Sequence, residues 1–509
     1  MKNTNETWMK QRSFRRLVRN SMKKDGSSTP MSARNTRFEK LLNDNNFIDN
    51  SEYFITPNIK DNNLKIKGII SLTTWKERIK NVIYTINSIL KNTKNFKIVL
   101  VLSEEEFPKK EKELPSDLLN ALSYRFEILW VYKNYKAFKK VLFTMEKYPQ
   151  LPVISIDDDM ICIGDYFSIM YEKWSKNKTS FITSKSHTFK EVMLPVSSNI
   201  KHTAGCCTLY PPYCFGDYGI KCLSDDILKE YESDSYYSAL KYYLNLTNSI
   251  TLPEIEKMYK FNETDKISPM REKYLNNKRR ERRKKIFENT RRNISNLILK
   301  KTTVLTANFN SNELTKTMIL SLRKQLGFDI PVTIIDNSTQ TKWDKSIENN
   351  IEVIDNTNFK ILPDYKQPSL NHGYSIDYAL KKIENEWVIL CDCDILYKSS
   401  LKNIVNFTHK DFDICGEIGH DVLPKDRLFP YFCILNNKKI KFYNIDFFDE
   451  QTDLNKGYDT GYSLLVNSQK NKLKIKNIGI NNYVKHLKGG VLRNKDKNKW
   501  FNENKELWL

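Results

Sequence analysis

One order of segments occurs twice along this chain: strand, helix, strand, helix, strand, and then a cluster of aspartates. In the first copy, apolar runs predict strands at residues 65–70, 96–102 and 153–156, and helical spacing of apolar residues predicts helices at 80–90 and 137–148. The third strand runs directly into Asp157, Asp158 and Asp159. Continuous apolar runs of this kind are typical of parallel strands that are buried on both faces.

The second copy follows the same order. Strands are predicted at residues 303–307, 332–335 and 387–390, and helices at residues 314–325 and 374–383. Asp336 follows the second strand, and Asp392-Cys393-Asp394 follows the third. Strands that alternate with helices form parallel α/β sheets. The sequence therefore predicts an α/β protein in which two tandem domains share one architecture.

Length and composition agree with folded domains. The chain has 509 residues, of which 40% are apolar, enough to bury cores in two or three domains. No apolar run is long enough to cross a bilayer, and none follows the cationic residues 1–20, so we expect neither a membrane span nor a signal peptide. Nine cysteines without a disulfide spacing favour a reducing compartment, which predicts a cytoplasmic protein.

The net charge of +22 is concentrated in two segments. Residues 1–60 hold twelve basic and six acidic side chains, and residues 278–292 hold nine basic and two acidic ones. Neither segment has the interleaved aromatic residues of a groove that binds single-stranded nucleic acid. We interpret the segments first as a solvated arm and linker, second as a surface for anionic lipid headgroups, and third as a nucleic-acid site.

These charges and the two copies predict four parts of the chain. We expect a basic N-terminal arm at residues 1–60, a first domain at 61–255, a basic helical linker at 256–300 and a second domain at 301–509.

The aspartate clusters occupy the same position in both copies. An Asp-x-Asp pair after a strand places two carboxylates at the carboxyl edge of the sheet, where α/β folds bind ligands. Such carboxylates suit Mg²⁺ or Mn²⁺ that keeps open positions for substrate phosphates. The alternative is a solvated turn, because aspartate is common after strands. Recurrence of the cluster in both copies favours the metal site. His372, next to Gly373, is interpreted as a turn residue or a partner of a site residue rather than a catalyst.

Several motifs of the second half resemble the nucleotide-sugar-dependent glycosyltransferases of the GT-A fold, similar to family two. They are VLTANFNSNELTKTMILSLRKQ with VTIIDNS, NHGYSIDYAL with WVILCDCDILY, GYDTGYSLL, and NYVKHLKGG. The resemblance implies that Asp336 contacts the nucleotide base and that Asp392 and Asp394 bind the metal and the diphosphate. It further implies His486 as a third metal ligand and Asp459 as the catalytic base.

The first half resembles a subgroup of these enzymes from bacterial surface-polysaccharide gene clusters. The motifs are ISLTTWKERIKNVIYTINSIL, VLVLSEEEFPKKEKELP, SIDDDMIC and LYPPYCF, although AGCC stands where the family carries more glycine. The resemblance implies that Asp157 binds the diphosphate and, with Asp159, the metal. Asp234, within ESDSYYSALKYY, becomes the candidate base. The alternative for Asp234 and Asp459 is an exposed residue that caps a helix or turn.

These resemblances imply a metal-dependent, inverting glycosyltransferase with Mn²⁺ or Mg²⁺ as cofactor and a nucleotide-sugar donor, a UDP-sugar by preference. The expected acceptor is a glycan or lipid-linked glycan of the capsule or lipooligosaccharide type, at the inner face of the membrane. Either both domains transfer sugars or one is vestigial. Two alternatives stay open: a glycosyltransferase that modifies nucleic acid, and a non-catalytic scaffold that binds glycans or nucleotide-sugars.

Overall fold

The computed structural model describes residues 47–48, 65–188, 201–203, 207–246, 248–262, 279–339, 342–344, 349–356, 368–419, 426–448 and 461–487. The chain separates into two compact units, Met1–Thr290 and Arg291–Leu509. Most of the predicted N-terminal arm, including residues 1–46, lies outside the described residues. No helix in the described part of the chain is long and apolar enough to cross a membrane.

A seven-stranded sheet forms the centre of the first unit. Its strands are β1 (Gly68–Thr73), β2 (Phe96–Ser103), β3 (Phe126–Val131), β4 (Val153–Ser155), β5 (Phe181–Thr183), β6 (Thr208–Tyr210) and β7 (Ser249–Thr251). Their order across the sheet is β3-β2-β1-β4-β6-β5-β7. Strand β6 is antiparallel to both of its neighbours, and the other pairs are parallel.

A second seven-stranded sheet forms the centre of the second unit. Its strands are β8 (Thr302–Asn308), β9 (Val332–Asp336), β10 (Ile351–Asp355), β11 (Trp387–Cys391), β12 (Ile414–Gly419), β13 (Arg427–Asn436) and β14 (Ile475–Asn477). Their order is β10-β9-β8-β11-β13-β12-β14. Strand β13 is antiparallel to β11 and β12, and the other pairs are parallel.

The two sheets therefore have one topology. When the strands of each unit are counted from its own first strand, both sheets have the order 3-2-1-4-6-5-7, with the sixth strand antiparallel. Parallel neighbours need crossover connections, which explains the helices predicted between the strands. The predicted α/β class is confirmed, with a mostly parallel, Rossmann-like sheet in each unit.

Helices cover the sheet of the first unit. The α-helices are Val82–Asn92, Ser116–Asn120, Lys139–Lys147, Tyr166–Ser175, Tyr218–Lys221, Asp225–Leu228 and Ser233–Tyr243. The 3-10 helices are Lys76–Arg78, Lys110–Glu113, Lys136–Phe138 and Pro253–Met258, and the short strands are Phe47–Ile48, Met160–Cys162, Ser186–Thr188, Lys201–Thr203 and Tyr259–Asn262. Helix Val82–Asn92 buries the apolar residues whose spacing predicted it, so the core lies between this helix and the sheet.

The second unit has the α-helices Asn312–Leu326, Pro368–Lys382, Leu401–Val405, Asn437–Phe442 and Tyr462–Lys470. The 3-10 helix Ile480–Asn482 and the short strands Ile395–Tyr397 and Val484–His486 complete it. Helix Asn312–Leu326 buries Met318, Ile319 and Leu322, as its spacing predicted, and ends at Gly327. Gly327 has a φ of 78°, a left-handed conformation that glycine adopts without steric cost.

The division between the units falls inside helix Arg279–Lys300, which lies in the predicted basic linker. Within the first unit, Arg283 Nε lies 3.1 Å from Glu232 Oε2. Within the second, Ser295 Oγ donates to the carbonyl of Val405 at 3.3 Å. The predicted domain boundaries at residues 255 and 300 stay predictions.

A buried lysine in the first unit predicts a pH dependence of its stability. Lys241, in helix Ser233–Tyr243, is fully buried, and its Nζ donates to Ser249 Oγ at 2.7 Å. Burial lowers the pKa of Lys241 to about 7, whereas an unfolded chain gives a lysine a pKa of about 10.4. Between these values the unfolded chain holds a proton that the folded chain has released.

The free energy of unfolding of the first unit is therefore expected to rise with pH above about 7, by at most about 1.4 kcal/mol per pH unit from this group. Lys241→Met keeps the length of the side chain but removes the titration, so its stability should lack this rise. Melting temperatures of both proteins at about pH 7 and about pH 9.5 measure the difference. A rise of the same size in the variant would contradict the prediction.

Candidate metal centre

The second aspartate cluster lies at the carboxyl end of β11, a strand whose five residues are all buried. Asp392 follows directly, and its backbone N–H donates to the carbonyl of Tyr431 on the adjacent strand β13 at 3.2 Å. Asp394 lies two residues further along, directly before the short strand Ile395–Tyr397, and its side chain is 7% exposed. The apolar strand thus delivers two carboxylates to the edge of the sheet, as the sequence predicted.

His486 reaches these carboxylates through the pairing of two short strands. Strand Val484–His486 runs antiparallel to Ile395–Tyr397, and His486 lies opposite Ile395. The N–H of Leu487 donates to the carbonyl of Asp394 at 3.0 Å, which extends this pairing to the second aspartate. His486 Nε2 lies 3.2 Å from Asp394 Oδ1 and 3.9 Å from Asp392 Oδ2. One ligand atom from each of the three residues lies within 4.8 Å of the other two.

This set of donors fits a divalent cation. Two carboxylate oxygens and one imidazole nitrogen suit Mn²⁺ and leave other coordination positions for substrate oxygens. Among the described residues, Asp392, Asp394 and His486 form the one group of three such ligands that converge on a point. The structure therefore brings together the three residues that the resemblance named, although their roles stay predictions.

His372 is a fourth polar side chain beside this group. Its Nε2 lies 3.7 Å from Asp392 Oδ1. The next residue, Gly373, packs so closely that a Cβ there would lie 2.6 Å from the ring of Phe448. Asp377 on the same helix accepts the N–H groups of Phe447 and Phe448 at 2.6 and 3.0 Å, and burial raises the pKa of Asp377 to about 7. These contacts hold the helix that carries His372.

The ring of Tyr431 packs on His486. The two rings are stacked, with centroids 4.5 Å apart and planes inclined by 25°. Tyr431 Oη donates to Glu417 Oε2 at 3.1 Å, and the N–H of Ile480 donates to the same oxygen at 3.3 Å. Strands β12 and β13 thus position the imidazole through Glu417 and Tyr431. Because partners of metal ligands set their orientation, this stack should affect metal affinity.

We expect Tyr431→Leu to weaken Mn²⁺ binding about 10-fold, the lower end of the range for residues that orient metal ligands. Tyr431→Phe keeps the stacked ring and loses only the hydroxyl, so its affinity should stay within about 3-fold of the wild type, the difference expected for one hydrogen bond. Titration with Mn²⁺, followed by the electron paramagnetic resonance signal of the free ion, compares the two variants. Equal affinities of Tyr431→Leu and the wild type would show that the stack does not orient His486.

Asp336 lies at the end of β9 and is 1% exposed. Its Oδ1 accepts hydrogen bonds from Asn308 Nδ2 at 3.0 Å and from the N–H of Ser338 at 3.1 Å, and its Oδ2 accepts one from the N–H of Trp343 at 2.8 Å. Asp336 therefore ties the ends of β8 and β9 to the loop that follows. The predicted contact of Asp336 with a nucleotide base stays a prediction.

The first aspartate cluster differs from the second because cations lie on its carboxylates. Arg78 donates from Nη1 to Asp158 Oδ1 at 2.8 Å and from Nη2 to Asp159 Oδ2 at 3.1 Å. Lys140 Nζ donates to Asp157 Oδ1 at 2.6 Å. Thr74 Oγ1 adds a hydrogen bond to Asp158 Oδ2 at 2.5 Å. Arg78 and Lys140 thus place positive charge beside all three carboxylates, and the roles of Asp157 and Asp159 as metal ligands stay predictions.

The pKa values in this cluster follow from burial and like charge. Burial raises the pKa of Asp158, while Arg78 and Thr74 act in the opposite direction. Burial and the carboxylates of Asp157 and Asp158 raise the pKa of Asp159 to about 6. The folded chain can hold three adjacent carboxyl groups close together because the positive charges of Arg78 and Lys140 offset part of their repulsion.

The two candidate bases have different outcomes. Asp459 lies outside the described residues. Asp234 lies in the first turn of helix Ser233–Tyr243 and is partly exposed. Tyr237 of that helix donates to the carbonyl of Phe138 at 2.9 Å, directly before helix Lys139–Lys147, which carries Lys140. The roles of Asp234 and Asp459 as bases stay predictions.

Sequence reasoning missed four residues of these two clusters: Arg78, Lys140, Tyr431 and Glu417. Each is far along the chain from the residue that it contacts, and lysine and arginine are abundant in a chain with 83 of them. No local pattern marks them. His372 had a signal, because it lies in the NHG segment before the aspartate motif.

No protein-family model matches the chain, and a search of curated proteins finds no relative. Among solved structures, similarity is found to a mannosyltransferase from Pyrobaculum calidifontis in complex with GDP-Man and Mn²⁺, at 12% identity over 35% of this chain and 54% of that one, with a TM-score of 0.27. The first 349 residues of S. aureus TarS, in complex with UDP-GlcNAc, match at 17% identity over 39% and 63%, with a TM-score of 0.26. GalNAc-T7 with UDP, GalNAc and Mn²⁺ matches at 11% over 40% and 44%, with a TM-score of 0.27.

The matched region spans about half of the mannosyltransferase chain, 54%. Identities from 11% to 17% and TM-scores of 0.26 and 0.27 do not establish an activity.

Proposed function

We propose that this chain is a glycosyltransferase of the GT-A type that takes a sugar from a nucleoside-diphosphate donor, and that the second unit is its metal-dependent active site. The convergence of Asp392, Asp394 and His486 supports the proposal most directly. This group lies at the carboxyl edge of a sheet whose first four strands are parallel, the position at which α/β folds bind nucleotides. The sequence motifs on the same strands resemble those of the family.

When bound at this group, Mn²⁺ or Mg²⁺ would neutralise the charge that develops on the leaving diphosphate. Asp392 and Asp394 would supply carboxylate ligands, and His486 would supply an imidazole nitrogen that is held against Tyr431. Asp336 holds the loop after β9 through its hydrogen bonds to Ser338 and Trp343. We propose that the nucleotide binds beside this loop. This arrangement would require no covalent intermediate, because a carboxylate of the chain takes the proton of the acceptor hydroxyl.

We propose Asp459 as that carboxylate in the second unit, from its position in the GYDTGYSLL motif. Asp234 is the corresponding proposal in the first unit. One carboxylate as a general base and no nucleophile would invert the configuration of the transferred sugar. Nuclear magnetic resonance of the freshly formed linkage determines this outcome, and a retained configuration would exclude the general-base assignment.

The proposed acceptor is a cell-surface glycan or its lipid-linked precursor, with the chain at the cytoplasmic face of the membrane. The basic residues of helix Arg279–Lys300 support contact with anionic lipid, because clusters of lysine and arginine attract such headgroups. A nucleic-acid acceptor is the alternative. It predicts a steep loss of acceptor affinity with salt, so activity that is unchanged between low and moderate salt would count against it.

The test is a donor screen with the full chain. Release of nucleoside diphosphate is measured from UDP-sugars and GDP-sugars with Mn²⁺ or Mg²⁺, and again after treatment with EDTA. We expect release from one donor class, lost with EDTA and restored by the added ion. Release that is insensitive to EDTA would refute the metal assignment. Donor binding without release from any donor, with or without an acceptor, would favour a non-catalytic scaffold.

A further inference from the structure

The two aspartate clusters occupy equivalent positions in the same fold, but their surroundings carry different charge. In the second unit the carboxylates of Asp392 and Asp394 face the imidazoles of His372 and His486. An imidazole can be neutral and can ligate a metal. In the first unit the carboxylates face an ammonium group and a guanidinium group, neither of which can ligate a metal while charged.

The cations of the first unit are part of its interior. The side chain of Lys140 is 4% exposed and that of Arg78 is 17% exposed. Lys140 Nζ lies 2.6 Å from Asp157 Oδ1 and also within 3.4 Å of the carbonyl of Ile156. Lys140 is therefore buried against its carboxylate partner, and Arg78, which is partly exposed, is held by the carboxylates of Asp158 and Asp159.

The contacts also join separate segments of the first unit. Thr74 and Arg78 come from the segment after β1, Thr85 comes from helix Val82–Asn92, and Lys140 comes from helix Lys139–Lys147. Thr85 Oγ1 donates to the carbonyl of Asp158 at 2.8 Å. The cluster therefore anchors the loop after β4 to three other segments. Displacing its cations would leave buried charges without partners, which is costly.

A divalent ion needs carboxylate oxygens that point to a common centre. Each of Asp157, Asp158 and Asp159 has an oxygen within 3.1 Å of a cationic nitrogen of the chain. A metal placed among these oxygens would also lie beside two positive charges, which repel it. The two clusters thus differ in the groups beside their carboxylates, which are cationic side chains in the first unit and imidazoles in the second.

We infer that the first unit holds no divalent cation, because Arg78 and Lys140 take the place that the ion takes in the second unit. This inference rests on the proposed function of the second unit for its comparison. It makes the two units unequal: the metal-dependent transfer belongs to the second unit, and the aspartate cluster of the first unit connects the segments that surround it.

The number of Mn²⁺ ions bound by the full chain tests this inference. The wild type is titrated with Mn²⁺ and the free ion is followed by electron paramagnetic resonance. The same titration is carried out on Asp392→Asn/Asp394→Asn and on Asp157→Asn/Asp159→Asn. We expect one ion in the wild type, none in the second-unit variant and one in the first-unit variant. Two ions in the wild type, one of which is lost in the first-unit variant, would overturn the inference.

The second-unit variant keeps the test decisive if the first-unit variant does not fold. Asp392→Asn/Asp394→Asn leaves the first unit intact, so an ion that remains bound to it would overturn the inference, and binding of none would support it. The proposed function can fail separately. If the wild type binds no Mn²⁺, the metal site proposed for the second unit is refuted, whereas the inference that the first unit holds no ion still stands. Melting curves of all three proteins confirm that they are folded.

Discussion

Asp392→Asn/Asp394→Asn is expected to lower metal-dependent release of nucleoside diphosphate by at least about 100-fold, the loss that follows when preorganised charge stabilisation is removed from an active site. Asparagine has the shape of aspartate, and the backbone hydrogen bond from the N–H of residue 392 to the carbonyl of Tyr431 does not involve the side chain. What disappears is the negative charge that binds the cation. The assay is release of nucleoside diphosphate at saturating donor, with Mn²⁺ over a range of concentrations.

A matched control is Asp329→Asn, which removes a carboxylate at the opposite edge of the same sheet, before β9. The side chain of Asp329 is 53% exposed and pairs with Arg323. Asp329 is not one of the three residues of the candidate metal group, so we expect full turnover. The double variant should melt at the wild-type temperature or above it, because it removes repulsion between neighbouring carboxylates when no metal is bound. Wild-type turnover in the double variant would exclude these aspartates as metal ligands.

Arg78→Met is expected to destabilise the first unit by about 3–5 kcal/mol, the range for removal of one partner from a buried ion pair. Arg78 is the guanidinium that contacts both Asp158 and Asp159. Its loss leaves Asp158, whose side chain is 8% exposed, with less compensating charge. Methionine fills part of the space of arginine, so lost charge rather than lost volume should dominate. The change in the free energy of unfolding is measured by unfolding the full chain in urea, with proteolytic cleavage of the first unit as the readout.

Lys76→Met provides the comparison for this variant, two residues away in the same 3-10 helix. Lys76 pairs with Glu113 at 3.0 Å, but 59% of its side chain is exposed. We expect a loss below about 1 kcal/mol for an exposed pair. A loss in Arg78→Met as small as the loss in Lys76→Met would mean that the aspartate cluster does not depend on the guanidinium.

The effect of Arg78→Met should also depend on pH. Arg78 lowers the pKa of both Asp158 and Asp159 relative to what burial alone would give. Without Arg78 these pKa values rise, and each carboxyl group can be protonated in the folded chain. The stability that Arg78 contributes is therefore full when the carboxyl groups are ionised and is lost as pH falls through their folded pKa values. The difference in stability between wild type and variant should shrink on acidification.

Local sequence was sufficient to predict three of the seven strands in each sheet and the helices between them. The apolar run at residues 387–390 predicted β11 because a strand buried on both faces requires consecutive apolar residues. The spacing of Val82, Ile83, Ile86, Ile89 and Leu90 predicted helix Val82–Asn92 because one face of a helix recurs every three to four residues. Both predictions depend on neighbours along the chain, and so does the position of each aspartate cluster after its strand.

The charged and imidazole side chains beside the two aspartate clusters could not be predicted from neighbours along the chain. Arg78 is 80 residues from Asp158, and Lys140 is 17 residues from Asp157. The pairing of His486 with Asp394 required a resemblance, because the two short strands that bring them together, Ile395–Tyr397 and Val484–His486, lie far apart along the chain. The same Asp-x-Asp pattern therefore lies beside cations in one unit and beside imidazoles in the other.

The order of segments in the sequence determines the class of fold and its use in two copies, because periodicity reflects interactions with near neighbours. Which aspartate cluster can bind a cation depends instead on side chains from distant segments, whose positions follow only when the strands have paired and the helices have packed. Electrostatic interactions act through space, so the folded chain, and not the motif, distinguishes the two clusters.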